Sequence, residues 1–119
     1  MNDIALYDRS GKSMLRLCQT VFYDYQGRPR GYLVGRTVYD LRGQHRGFYF
    51  NHIVRDRMGK VIGYAEGAMS NGIDFPFPDI PPVPYRNVVS PDTPAELQDK
   101  DCPNCPPAWS IMRLENLLV

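Results

Sequence analysis

Cys102 and Cys105, three residues apart in the segment DCPNCPP, have the spacing most typical of metal chemistry in this 119-residue chain. Two thiolates in a C-x-x-C pattern can bind one tetrahedral metal ion, but a structural zinc needs four ligands. The pair is therefore half of a candidate zinc site, to be completed by Cys18, His45, His52 or the same pair of a second chain. A loop of unligated thiols is the alternative, and the flanking prolines give no βαβ context for thioredoxin-like redox chemistry.

Basic side chains in the first 68 residues form the second candidate site. Arginines interleaved with aromatic residues are typical of single-stranded nucleic-acid surfaces, although charged turns are often only a solvated rim. The basic residues are Arg9, Lys12, Arg28, Arg30, Arg42, Arg46, Arg57 and Lys60, with Tyr25, Tyr32 and Phe48 as the aromatic residues.

Catalytic patterns are missing from the sequence. His45 and His52 have no neighbouring nucleophile pattern, and there is no phosphate-binding loop, dinucleotide fingerprint or H-E-x-x-H motif. We therefore expect a protein that is not an enzyme and has no cofactor other than the candidate zinc.

A sixteen-residue repeat positions most of these residues. Each D-x-x-G core predicts a type I turn closed by a glycine bulge, between two short β-prone runs, so each unit is predicted to be one β-hairpin. Asp8, Asp24, Asp40 and Asp56 are sixteen apart, as are Gly11, Gly27, Gly43 and Gly59.

Three further columns of the repeat predict where its side chains lie. An apolar column should face a common core, an aromatic column should form a girdle on the opposite face, and a strand glycine should mark close backbone approach. The columns are Leu6, Phe22, Val38 and Val54; Tyr7, Tyr23, Tyr39 and Arg55; and Gly31, Gly47 and Gly63, with Leu15 in the first unit.

Isolated two-stranded hairpins are marginal in water, so the four hairpins must share one core. We predict an all-β domain over residues 1–68, in which closure into a pseudo-fourfold flower or a small meander barrel removes exposed strand edges.

The remainder of the chain, residues 69–119, is called the tail. Ten of the eleven prolines lie here, which predicts an extended chain over residues 69–108, and its apolar residues predict that it docks on the body. The segment from Pro81 to Arg86 has the P-x-x-P-x-R pattern that SH3 grooves bind, although a strap on its own body is the favoured interpretation.

Residues 109–119, WSIMRLENLLV, predict a short amphipathic helix that needs a surface to pack on. Ser110 is the expected cap, and Trp109 is expected to pack on Leu114.

The four D-x-x-G units over residues 4 to 67 and the WSIMRLENLLV end resemble the bacterial four-fold β-flower family. The resemblance implies four hairpins, a proline-rich tail and a terminal apolar helix, but no established activity. Leu15 and Arg55 depart from the family pattern.

Charge is uneven along the chain. The first 68 residues carry eleven basic and six acidic side chains, whereas the tail carries three and seven. A tail folded back on the body or an anionic partner would explain this asymmetry.

With no signal peptide or membrane span in the sequence, we expect a cytoplasmic protein-binding scaffold, with a protein partner or a second copy as its ligand. Single-stranded nucleic-acid binding is the alternative. The candidate partner-binding residues are Arg28, Arg30, Arg42, His45, Arg46, Trp109, Leu114 and Leu117.

Overall fold

Eight antiparallel strands close into a barrel in the computed structural model, which describes residues 3–69, 72–87 and 91–118. Each sixteen-residue unit forms one hairpin, so the predicted all-β repeat fold is confirmed. The strands are β1 (Asp3–Tyr7), β2 (Ser13–Cys18), β3 (Val21–Tyr23), β4 (Pro29–Val34), β5 (Thr37–Asp40), β6 (His45–Phe50), β7 (Ile53–Asp56) and β8 (Val61–Tyr64). The fold closes where β1 pairs with β8.

The repeat aspartate organises the tip of each hairpin. In the first hairpin, the backbone N–H of Gly11 donates to the carbonyl of Asp8 at 3.0 Å, closing the turn. The Asp8 side chain accepts from the N–H groups of Ser10 and Lys12 at 2.9 and 3.0 Å. The same bonds recur in the other three hairpins, and the turn glycines all have φ between +83° and +91°. The predicted turn chemistry is therefore confirmed.

The apolar column lies inside the barrel. Leu6, Phe22, Val38 and Val54 have no exposed surface and belong to one hydrophobic core. The register shifts after each of them, between the apolar residue and the residue that follows it. This bulge is the distortion that lets each strand reach its D-x-x-G turn.

The strand glycines lie where neighbouring strands approach each other closely. A Cβ atom at Gly47 would be less than 3.0 Å from the carbonyl oxygen of Arg55, and one at Gly31 would be equally close to that of Tyr39. Gly63 has the same relation to Tyr7. Only glycine fits such positions, so the predicted backbone crowding is confirmed.

Three leucines of the chain end fill the space beside these glycines. Leu118 lies next to Gly31, Leu117 next to Gly47 and Leu114 next to Gly63. In the first hairpin Leu15 replaces the glycine, and its side chain is buried in the same cluster. At the strand-glycine column, each hairpin therefore has one leucine: Leu15 from the repeat in the first hairpin, and a tail leucine in each of the other three.

The predicted amphipathic helix over residues 109–119 is wrong. Of residues 109–118, the part of this segment that the structure describes, only Leu114–Asn116 forms a helical turn, of the 3-10 type, with no side-chain cap. Ile111, which lies three residues before Leu114 and would share its face in a helix, is fully exposed, and the Ser110 hydroxyl accepts a local bond from the N–H of Met112 at 3.0 Å. The segment is irregular because its leucines must reach three different hairpins, which one helical face cannot do.

The aromatic column is covered rather than exposed. Tyr7, Tyr23, Tyr39 and Arg55 lie on the outer face as predicted, but each is at least 95% buried. The Tyr39 hydroxyl donates to the carbonyl of Gln98, which belongs to the tail. The expected open girdle is therefore a surface that the tail occupies.

Within the described residues, no helix has the length and apolar character needed to span a membrane.

Candidate interaction surface of the encircling tail

The tail passes the four hairpin tips in sequence order. Each turn glycine is the point of contact, because a Cβ atom added there would meet a tail atom in all four hairpins. The contacts are Gly11 with the carbonyl of Phe77, Gly27 with that of Arg86, Gly43 with the Leu97 side chain and Gly59 with the carbonyl of Asn104.

Two constraints, one conformational and one steric, therefore favour glycine at these turn positions. The positive φ favours glycine in the turn, and the approaching tail backbone leaves no space for a side chain at Gly11, Gly27 and Gly59. The repeated glycines consequently position both the hairpins and the tail that crosses them.

Backbone hydrogen bonds tie residues 77–86, called the strap, to the first two hairpins. The N–H of Asp79 donates to the carbonyl of Gly11 at 2.8 Å, and the N–H of Tyr85 donates to the carbonyl of Tyr25 at 3.0 Å. Residues 74–87 form neither helix nor strand. The strap is thus a segment without regular secondary structure that is fixed near both of its ends.

Arg16 strengthens the second anchor. Its guanidinium is buried, stacks over the Tyr23 ring at 5.2 Å and forms an ion pair with Asp3 at 2.5 Å. It also donates to the side-chain oxygen of Asn87 and to the carbonyl of Tyr85, the latter at 3.4 Å. One repeat side chain therefore binds the tail immediately after the strap.

Asp99 anchors the tail at the connection between the second and third hairpins. Its carboxylate accepts from the N–H of Arg36 at 3.0 Å and from the buried Thr37 hydroxyl at 2.9 Å. The Arg36 backbone bond is the main reason why the pKa of Asp99 lies below its usual value. In return the N–H of Lys100 donates to the Thr37 hydroxyl at 2.6 Å.

Trp109, a candidate partner-binding residue, lies where the tail returns to the fourth hairpin. It forms a parallel bridge with Val61, and its ring packs edge-on against Phe75 at 5.9 Å. The Arg9 guanidinium lies over the ring at 5.2 Å. The predicted packing on Leu114 is replaced by contacts that hold the two ends of the tail together.

Large apolar side chains of the strap point into solvent. Phe77 is 96% exposed, Ile80 95% and Val83 87%. They are three residues apart in the sequence, which is the spacing that places side chains on one face of a polyproline II helix. Sequence reasoning missed this surface, although the three-residue spacing within a proline-rich segment was a signal for it.

Leu114 and Leu117, predicted to bind a partner, are core residues, with 1% and 0% of their surface exposed. Arg30 and Arg46, predicted for the same surface, bind the end of their own chain. Arg30 donates to the carbonyl of Leu118 at 2.9 Å, and Arg46 donates to that of Leu117 at 2.8 Å. These four residues therefore make their contacts within their own chain.

Arg28 and Arg42 remain accessible at the second and third hairpin tips. Each faces the aspartate of its own turn, Arg28 with Asp24 at 3.3 Å and Arg42 with Asp40 at 3.7 Å. Both guanidinium groups stay largely exposed and could meet an anionic partner.

His45 is half-buried beside the third turn. Its ring packs edge-on against Phe48 at 4.9 Å, and its Nε2 atom lies 3.1 Å from the carbonyl oxygen of Gly47. Burial lowers the pKa of His45, so the neutral ring predominates at neutral pH. Its contacts are those of a packed side chain.

The proposed aromatic platform for nucleic acid is incomplete. Tyr32 and Phe48, two of its three rings, are buried, and the hydroxyl of the third, Tyr25, hydrogen bonds with Ser13. Stacking of bases needs an open ring face, which Tyr32 and Phe48 do not present.

Cys102 and Cys105 come together in the tail, with their sulfur atoms 3.5 Å apart. Burial and the neighbouring Cys105 thiol raise the pKa of Cys102 to about 11. Across the described residues, no group of three or more His, Cys, Asp or Glu side chains could hold a metal ion. In the described part of the chain, Cys18, His45 and His52 therefore do not lie with the cysteine pair.

Four repeated hairpins closed into one barrel, with a tail crossing every tip, define a pseudo-fourfold β-repeat protein. A family model described as 4-fold beta flower protein matches residues 4–118. The chain belongs to this family, as the resemblance of its repeats implied. Neither a curated protein nor a solved structure matches the chain.

Proposed function

We propose that this chain is a non-enzymatic protein-binding module that presents its strap to a protein partner. The observation that carries the proposal is the exposed row of Phe77, Ile80 and Val83, on a segment whose backbone is tied to two hairpin tips. Soluble monomers rarely expose such a contiguous row of large apolar side chains unless it is a contact surface.

The fixed backbone is what makes the strap suited to binding. A free proline-rich peptide loses conformational entropy when it binds, whereas the strap is already held by the N–H groups of Asp79 and Tyr85. Its apolar side chains can therefore be desolvated by a partner without the cost of ordering the chain.

The chemistry of the strap favours one kind of partner surface. Pro78, Pro81 and Pro84 repeat every three residues, so in a polyproline II helix they would share one face. Aromatic-lined grooves bind such segments, and carboxylates at the groove rim would pair with the exposed Arg86. We infer a partner with an apolar, acidic-rimmed groove.

A triple variant, Phe77→Ser, Ile80→Ser and Val83→Ser, tests the proposal in capture experiments with lysate and then with the purified partner. We expect affinity to fall more than about tenfold, because central apolar contacts dominate most interfaces. Ile111→Ser is the matched control, since Ile111 is equally exposed but lies outside the strap. A partner that binds both variants alike would contradict the proposal.

The same experiment distinguishes binding of a protein partner from binding of single-stranded nucleic acid. If the captured ligand is single-stranded nucleic acid, binding should survive the strap variant, weaken steeply with salt and fall when Arg28 and Arg42 are replaced by alanine. That result would replace the strap with the hairpin tips as the functional surface.

A further inference from the structure

We propose that Cys102 and Cys105 form half of a zinc site, which a second copy of this chain completes with the same two residues. This proposal is independent of the strap. It concerns a four-cysteine zinc centre between two chains, at the part of the tail that crosses the fourth hairpin.

The separation of the two sulfur atoms fits one zinc ion. Two thiolates about 2.3 Å from a tetrahedral zinc lie about 3.8 Å from each other. Cys102 and Cys105 have their sulfur atoms 3.5 Å apart, so they could bind the same ion after a shift of a few tenths of an ångström. The two residues between them are Pro103 and Asn104, which allow the chain to turn back within the C-x-x-C segment.

The backbone around the pair is held against the fourth hairpin. The Asn104 carbonyl packs on Gly59, and the N–H of Val61 donates to the carbonyl of Ala108 at 2.9 Å. Arg55 links the two segments, because its guanidinium donates to the carbonyl of Gly59 at 2.7 Å and to that of Pro106 at 3.5 Å. Positions on both sides of Cys105 are fixed, so the thiol pair does not need to be assembled by the metal.

Zinc binds cysteine as the thiolate, so each of the four thiols must lose its proton on binding. Binding replaces four S–H bonds by four Zn–S bonds and releases four protons to solvent.

The geometry favours a second copy of the chain as the source of the two missing zinc ligands. Within the described residues there is no third side chain to join the pair, whereas Cys105 is exposed and accessible to another molecule. A two-fold axis through the metal would bring two identical pairs together, which gives the four ligands that structural zinc requires.

Zinc titration of the purified full-length chain, kept reduced with a phosphine, tests the proposal. We expect one tightly bound zinc per two chains, a doubling of mass by light scattering, and return to the starting mass when a chelator is added. Cobalt as the probe metal should give the intense absorption of tetrahedral thiolate coordination. Cys105→Ser, which alters an exposed side chain, should abolish zinc binding, dimerisation and the cobalt absorption, whereas Cys18→Ser, the matched control, should leave them unchanged.

Three outcomes would overturn the proposal: no tight zinc binding, one zinc per monomer without a change in mass, or dimerisation that Cys105→Ser does not affect. Thermal unfolding of each variant checks that the fold is intact. The Phe77, Ile80 and Val83 triple variant should retain zinc binding, so failure of the strap proposal and failure of the zinc proposal can be told apart.

Discussion

The Nε atom of Arg46 donates a 2.8 Å hydrogen bond to the carbonyl oxygen of Leu117, while Gly47, the next residue, lies beside the Leu117 side chain. In the second hairpin, Arg30 donates to the carbonyl oxygen of Leu118, and Gly31 lies beside the Leu118 side chain. The Arg-Gly pair of these two hairpins is therefore a socket, in which arginine holds the backbone of a tail leucine and glycine leaves space for its side chain.

Arg46→Ala should weaken the socket of the third hairpin. Arg46 also donates to the carbonyl of Asn116 at 3.2 Å, so the variant removes two charge-assisted bonds from the chain end. We expect the free energy of unfolding to fall by about 1.5 kcal/mol, measured by urea denaturation. Arg57→Ala is the control, because Arg57 is exposed and should change stability by less than about 0.5 kcal/mol. Equal effects of the two variants would contradict the role of the socket.

Leu117→Ala should leave a cavity in the barrel core, because its side chain is fully buried. We expect a loss of about 2–5 kcal/mol in the free energy of unfolding, the usual range for a buried leucine. Ile111→Ala, at an exposed position six residues earlier, should cost less than about 0.5 kcal/mol. If denaturant midpoints of the two variants coincide, Leu117 is not part of the folding core.

The hairpins were predictable because each repeat contains the chemistry of its own turn. Asp24 and Gly27, for example, lie three residues apart and form the turn with bonds that are local in sequence. Apolar residues at a fixed place in the repeat, such as Phe22, then had to face a common core. The closed all-β fold follows from these local rules and from the need to remove strand edges.

Such local rules do not predict where the leucines at the end of the chain pack. Leu114 and Leu117 fit the apolar face of a helix, and the sequence alone does not show that their partners are Gly63 and Gly47. The contacts that decide the conformation link residues more than fifty positions apart. For the same reason the sequence suggested an open aromatic girdle, although Tyr39 is covered by tail residues near Gln98.

A comparison of Gly59→Ala with Gly67→Ala should separate the cost of backbone strain at positive φ from the cost of lost tail packing. Both residues have φ near +90°, but only Gly59 faces a tail carbonyl, that of Asn104. Gly67→Ala should cost about 1–2 kcal/mol through backbone strain alone. Gly59→Ala should cost about 1–3 kcal/mol more and should increase proteolysis of the tail near Asn104. Equal denaturation midpoints, with the tail equally protected in both variants, would argue against tail packing at the tip.

Asp99→Asn should make the docked tail less sensitive to acid. The pKa of Asp99 is lowered in the folded chain, mainly by the Arg36 backbone bond, so the folded state binds its proton less readily than the unfolded state. The carboxylate therefore stabilises the fold above its unfolded-state pKa of about 4, and this contribution is lost as pH falls through the lower folded-state value. Between neutral pH and about pH 3, the wild-type melting temperature should fall further than that of Asp99→Asn. Asp101→Asn, an exposed neighbour, should behave like wild type, and parallel melting curves for all three chains would refute the anchoring role.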